Sequence, residues 1–191
     1  MFGDGEKPEF SLTTSVSTTP AIAPSAGARY RSVAEPTQRA QAIVIVELFD
    51  ITDVERMREA CAIRTTVFVH EQGVPPEEEI DEHDRTDPDA VHVLARDASG
   101  RAVGAGRYYV TEPSVVQIGR MAVCADARGT GIGVALLEAL ANEARRRGFA
   151  KAHLHAQTHA TEFYRKAGFY DDGAEMWDAG ILHQPMSRGL I

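Results

Sequence analysis

No apolar run in this sequence approaches the roughly 20 residues that a membrane helix needs. The opening Met1 to Ser11 lacks the basic-then-apolar order of a secretory leader, so a cytoplasmic location is the expectation. Cysteine is scarce. Cys61 and Cys124 are the only two, too few for a disulfide framework and suited to a reducing compartment as small packing residues. Basic residues are in deficit, 20 Lys plus Arg against 28 Asp plus Glu. The resulting net charge of -8 argues against nucleic-acid binding, which needs a basic face to neutralise phosphates. There is no internal repeat, and 191 residues of ordinary globular composition suit a single core.

What is present divides unevenly. Residues 1–41 are rich in Ser, Thr, Pro, Ala and Gly without an apolar period and read as a flexible extension. The remainder, 42–191, reads as one α/β (α+β) domain. Ala42 to Phe49 is a β-branched run expected as a strand. Thr52 and Glu55 stand in capping-box spacing at the head of a helix expected to end near His70. Gly73, Pro75 and Pro76 then open a loop. Its acids run from Glu71 through Glu77, Glu78, Glu79, Asp81, Glu82, Asp84, Asp87 and Asp89 with Arg85 as the single cation among them. Most of these read as solvated, although the stretch would also make a rim attractive to a cationic amine. Ala90 to Arg96, Ala102 to Val110 and Val115 to Cys124 read as consecutive strands, after which the apolar period changes from two to about 3.6. Val134, Leu136, Leu137, Leu140, Ala141 and Ala144 line one face of a helix that Gly148 stops. Ala150 to Ala156 reads as a strand parallel to Val115 to Cys124 through a right-handed crossover. A helix over Thr158 to Lys166 and a final pair of strands complete a mixed sheet.

The chemistry centres on Arg128-Gly129-Thr130-Gly131-Ile132-Gly133, between a strand and a helix. Its glycines permit tight turning and close approach, and the first N–H groups of the helix present positive charge to an anion. A diphosphate fits. Neither familiar nucleotide loop does: a dinucleotide fingerprint counted from Gly129 would need glycine where Val134 stands, and no Lys-Ser or Lys-Thr pair follows Gly133.

This loop resembles the GNAT superfamily of acyl-CoA N-acyltransferases, whose mark is Arg-x-x-Gly-x-Gly/Ala after a strand; Arg128, Gly131 and Gly133 match. Gln157, Ala160, Phe163, Tyr164 and Gly168-Phe169 stand where the family carries Asn, Ala, Tyr and Gly-Phe, with Gln157 departing from the usual Asn. Val67 to Pro75, Glu79-Ile80-Asp81, Ile118 to Val123, Leu154 to Gln157 and Gly180 to His183 with Met186 are similar to the bacterial ElaA/YjcF-like branch. The resemblance implies a sheet splayed open between two strands, with acetyl-CoA in the gap. Its pantetheine would pair with backbone of Met121, Ala122 and Val123. Its pyrophosphate would lie on Arg128, Gly129, Thr130, Gly131, Ile132, Gly133 and Val134, with Gln157 and Tyr164 also against the cofactor.

Acetyl transfer to an amine needs a proton donor for the leaving thiolate, a donor for the oxyanion and a base for the ammonium. The resemblance makes Tyr164 the acid, and a strand N–H near Val123 is the oxyanion donor. Glu79, Asp81, His83, His92 and His155 form the pool for the base, with Glu79 and Asp81 favoured because they border the loop over the acceptor site. His153, His155 and His159 lack an acid or Cys at ligand spacing, so no metal is expected. Arg107 and Arg120, inside strands, require an acidic partner from the loop or an anionic acceptor. The expected acceptor is a small-molecule amine, without nucleic acid or membrane as partner, and a free sheet edge makes a homodimer the weak expectation. A non-catalytic acyl-CoA-binding module and a protein or peptide N-acetyltransferase are the alternatives.

Overall fold

The computed structural model describes residues 44–191. The extension expected over residues 1–41 and the strand start at Ala42 lie outside them. Eight strands form one mixed sheet: β1 (Ile45–Phe49), β2 (Val91–Arg96), β3 (Ala102–Glu112), β4 (Val115–Val123), β5 (Lys151–Gln157), β6 (Tyr170–Asp171), β7 (Met176–Asp178) and β8 (Ile181–Gly189). The order is β1-β2-β3-β4-β5-β8-β6, with β7 also paired to β8. Only β4 and β5 run parallel, as a crossover helix between them requires. The final pair of strands is in fact three, since Gly173 and Gly180, both with positive φ, fold short β7 back onto β8.

Strand alternation supplies two cores. Val91, Val93 and Ala95 of β2 pack with α3 (Ile132–Arg146), whose Leu136, Leu137 and Leu140 are fully buried. Leu94, between them, joins the opposite cluster with Met57, Ala60 and Ile63 of α1 (Val54–Arg64). Each fully buried leucine contributes about 2–3 kcal/mol by area. The N-cap of α1 is Asp53, whose carboxylate accepts from the Arg56 amide at 3.1 Å, and not Thr52 as the spacing predicts. Asp50 captures the Thr52 amide and hydroxyl instead. The helix continues through a π-helical turn, Thr65–Glu71, so its end near His70 agrees with the expectation. Short α2 (Pro76–Glu79) and α4 (Thr161–Lys166) complete the α-helices among the described residues.

Candidate active site

The sheet opens where the resemblance implied. β4 and β5 pair only at Val115, Val116 and Gln117, opposite Lys151, Ala152 and His153; beyond them β5 pairs with β8 alone. A bulge in β4 accompanies the divergence. Two steps along β3, Ala105 to Arg107, face three along β4, Ala122 to Gly119, and Arg120 takes φ +53°. The extra residue bends the strand away from its neighbour. Gly106 opposite gives Met121 its place, because a Cβ there would come within 2.6 Å of Met121 Sδ and displace that side chain.

Past the bulge, the Cys124 N–H bonds the Val103 carbonyl of β3 at 2.9 Å. Strand alternation then turns the N–H and C=O of Val123 and Met121 into the gap and those of Ala122 toward β3. Arg128 Nε occupies the Val123 carbonyl at 2.9 Å, which leaves the Val123 N–H facing the gap. The Ala122 side chain is buried in the α1-side cluster. Ala122 therefore contributes no backbone group to the gap, a correction to the expected three-residue pairing.

The glycine loop follows. Gly129 and Gly131 have φ of +74° and +91°, and Gly131 caps α3 without any side-chain hydrogen bond. The N–H groups from Gly129 through Val134 find no acceptor within the chain among the described residues; the first amide to do so is Ala135, to the Gly131 carbonyl at 3.0 Å. Six successive donors at a helix start form an anion cradle. Thr130 and Ile132 contribute only those amides: the Thr130 hydroxyl donates to the Ala127 carbonyl at 2.7 Å, and Ile132 is buried in the core.

These elements enclose a cleft of about 1460 Å³. Of the residues expected at the site, Glu79, Asp81, Met121, Val123, Arg128, Gly129, Gly131, Gly133, Val134, Gln157 and Tyr164 line it, and Ala122, Thr130 and Ile132 do not. Tyr164 packs its ring edge-on between Phe163 and Phe169, at 4.9 and 5.9 Å between centroids. Burial pushes its phenol up to about 12. Gln157 Nε2 donates to Gln72 Oε1 at 2.8 Å, and Arg128 pairs with Glu71, so the end of the π-helical turn touches both sides of the cleft. The Arg128–Glu71 pair is half exposed and such pairs contribute at most about 1 kcal/mol. Glu71→Gln should therefore tighten coenzyme A binding by no more than about five-fold, readable by isothermal calorimetry.

Most of the acidic loop is solvated as its composition suggested, with Glu71, Glu77, Glu78, Glu82 and Asp89 exposed, but Glu79 and Asp84 are buried. Arg64 of α1, 1% exposed, bonds Glu79 Oε1 at 2.6 Å, both Asp84 carboxylate oxygens at 2.6 and 2.8 Å, and the Glu79 carbonyl at 2.7 Å. Arg107 meets Asp84 at 2.6 Å and also Asp81. Arg120 reaches the Glu78 and Glu79 carbonyls at 2.7 and 3.2 Å. The loop thus supplies counter-ions to both strand arginines, although Arg107 Nε and one terminal nitrogen make no hydrogen bond. Burial would raise Asp81 and Asp84, but hydrogen bonds and charge from Arg107 and Arg64 hold both carboxyls below their ordinary values. The two favoured base candidates, Glu79 and Asp81, are ion-paired, an arrangement that suits holding the loop over the cleft better than accepting a proton. Of the other candidates, His83 stacks on Tyr109 and bonds Asp87, while buried His92 is driven down to about 4 by desolvation. His155 lines the cleft.

Sequence reasoning gave no role of their own to Arg64, Gln72, Asp178 and His183; the last three fall in the segments His70 to Asp89 and Trp177 to Met186, expected only to shape the acceptor site.

A sheet splayed at a β-bulge, with a row of free amides heading the helix beside the gap, defines an acyl-CoA-type transferase site. Comparison with known proteins agrees. Residues 51–190 match the model of the Acetyltransferase (GNAT) domain, and the chain belongs to this family of acyltransferase enzymes. It is 36% identical over 135 residues to the uncharacterized N-acetyltransferase YjcF of Bacillus subtilis strain 168, covering 70% of this chain and 93% of the relative. The crystal structure of Escherichia coli ElaA superposes with a TM-score of 0.68 at 24% identity, covering 76% of this chain and 99% of that one. An aminoglycoside 6'-N-acetyltransferase complexed with coenzyme A gives 0.62 at 18% identity, over 77% and 97%. The ElaA/YjcF-like branch is the one these relatives support.

Proposed function

We propose that the protein transfers the acetyl group of acetyl-CoA to the amine of a small molecule by direct attack in a ternary complex. The observation that carries this reading is the run of unpaired amides from Gly129 to Val134 beside the β4–β5 gap. Those amides receive the pyrophosphate, and the Met121 and Val123 backbone groups receive the pantetheine as an added strand. The coenzyme A bound by the structurally similar aminoglycoside acetyltransferase supports the choice of cofactor.

Within that frame the Val123 N–H donates to the thioester oxygen as it gains charge. Tyr164 remains protonated at neutral pH, because burial has raised its phenol, and gives its proton to the departing sulfur. The same desolvation raises the thiol, which narrows the gap between donor and acceptor. The exposed acids at the cleft rim, Glu77, Glu78 and Glu82, draw in a cationic amine.

Calorimetry with coenzyme A, followed by thiol release with a panel of amines, tests the reading; absence of coenzyme A affinity would sink it. Affinity without release for any small amine or peptide would leave a binding module. Gly131→Val sharpens the test. No heavy atom lies within 4 Å of the added Cβ, so the change acts through the left-handed backbone, which costs an L-residue about 1–2 kcal/mol. Relief of that strain turns the amides away from the cradle, and coenzyme A should bind about ten-fold more weakly with the fold retained.

A further inference from the structure

We infer that His183, to which the sequence gave no catalytic role, is the base that takes the proton of the acceptor ammonium, with His155 beside it. This rests on the acetyl-transfer reading above.

The placement follows from strand register. His183 pairs with Gln157, and His155 with Pro185, across the antiparallel β5–β8 ladder. Paired residues share a face, so the two imidazoles lie diagonally on one side of it. Ala152, Leu154 and Ala156 point into the α3-side core, which sends His153, His155 and Gln157 the other way. Both His155 and His183 line the cleft.

The tautomer of His183 follows from a hydrogen bond. Its ring is 9% exposed, and Nδ1 lies 2.9 Å from the Ile181 carbonyl. A carbonyl only accepts, so Nδ1 carries the hydrogen and the neutral ring keeps its lone pair on Nε2. Among the described residues Nε2 has no hydrogen-bond partner, and His183 lines the cleft, into which this nitrogen is free to open. The other candidates are already engaged. Glu79 and Asp81 hold arginines, and His153 Nδ1 contacts the Ser187 hydroxyl at 3.0 Å.

The titratable groups on the elements packed against β8 are Lys151, His153 and His155 of β5, Tyr170 and Asp171 of β6, Asp178 of β7 and His159 after β5. Asp178 also lines the cleft. Burial and then the neighbouring His183 lower His155, so it stays neutral at neutral pH and adds no opposing charge. The step balances. An N–H bond of the ammonium breaks as Nε2 gains that proton; the freed nitrogen pair forms the C–N bond, the C–S bond breaks, and the sulfur takes the Tyr164 proton, while the second proton that the nitrogen sheds on becoming an amide restores the Tyr164 hydroxyl through solvent. The imidazolium returns its proton to solvent.

The test compares wild type with His183→Gln for acetyl transfer to an amine found in the panel, from about pH 5 to about pH 10, where imidazoles and amines titrate. It is paired with a ¹⁵N NMR titration of the wild-type imidazoles. We expect wild-type kcat/KM to fall on the acid side along the His183 titration, with the Nδ1–H tautomer seen by NMR. His183→Gln should bind coenzyme A as wild type does and lose that limb. It should run at least about 100-fold slower near neutrality, recovering as the amine deprotonates unaided. A variant that keeps the limb, or stays within about three-fold of wild type, overturns the assignment. So does an Nε2–H tautomer, which decides the matter should the variant fail to fold. Wild type that binds coenzyme A but releases no thiol with any amine overturns the transfer reading and the base with it. Transfer that persists in His183→Gln removes only the base.

Discussion

Tyr164→Phe is expected to leave coenzyme A affinity within about two-fold of wild type and to lower kcat by about 10²- to 10⁴-fold, the usual contribution of a positioned proton donor. The ring contacts with Phe163 and Phe169 persist in phenylalanine, so the change removes a hydroxyl and little packing. The hydroxyl has no hydrogen-bond partner among the described residues, Tyr164 lines the cleft, and burial keeps its phenol protonated at neutral pH. It is therefore placed to give a proton. KM for the amine should hold while kcat falls, the signature of an interaction made only in the transition state. Equal loss of coenzyme A affinity and rate, read by calorimetry and thiol release, would make the tyrosine a binding group instead.

The second large effect is on stability. Arg64→Met retains much of the side chain's bulk but leaves the Glu79 and Asp84 carboxylates, 1% and 8% exposed, without their shared guanidinium. Removing one partner of a buried ion cluster costs about 3–5 kcal/mol, and for a domain of this size Tm should fall on the order of 10 °C. Because the lost bonds tie the loop over the cleft, amine KM should rise more than coenzyme A affinity falls. The cluster also sets the response to acid. His92, buried beside Asp84 at 3.9 Å, is pushed by desolvation down to about 4, below its unfolded value near 6.5. Between those values only the unfolded chain holds the proton, so stability falls with decreasing pH by about 1.4 kcal/mol per unit. Asp84, with its folded pKa depressed, contributes stability that is present above its unfolded value of about 3.9 and lost as pH falls below it. Urea melts at descending pH should steepen in that order, and His92→Gln should flatten the first part only. A loss of stability confined to the carboxylate range would contradict the role of His92.

The glycine loop was legible because its chemistry is local: the residues that turn the chain are the ones whose amides are freed, and all lie within Gly129 to Val134. The same locality explains the correct ends of α3. It failed where two local solutions compete. Thr52 and Asp53 are adjacent cap candidates, and the choice fell to Asp50, whose carboxylate had already bound Thr52. The acidic loop was unreadable for the opposite reason. Its partners lie 15 and 20 residues away on α1 and 26 away on β3, and a carboxylate bound for a buried guanidinium looks in sequence like one bound for water. His183 was hidden by register, since only the β5–β8 pairing brings it diagonally beside His155.

By itself the sequence determined the order and period of the elements, the parallel crossover and the anion loop, because each depends on neighbours within about one turn or strand and on the excluded φ values of side-chain-bearing residues. Tertiary structure alone decided which acids are counter-ions and which face solvent, which β4 amides open into the gap, and which imidazole keeps a free lone pair there. Those outcomes depend on desolvation and on distances between distant segments, and both come into existence only when the sheet and its two helical layers close.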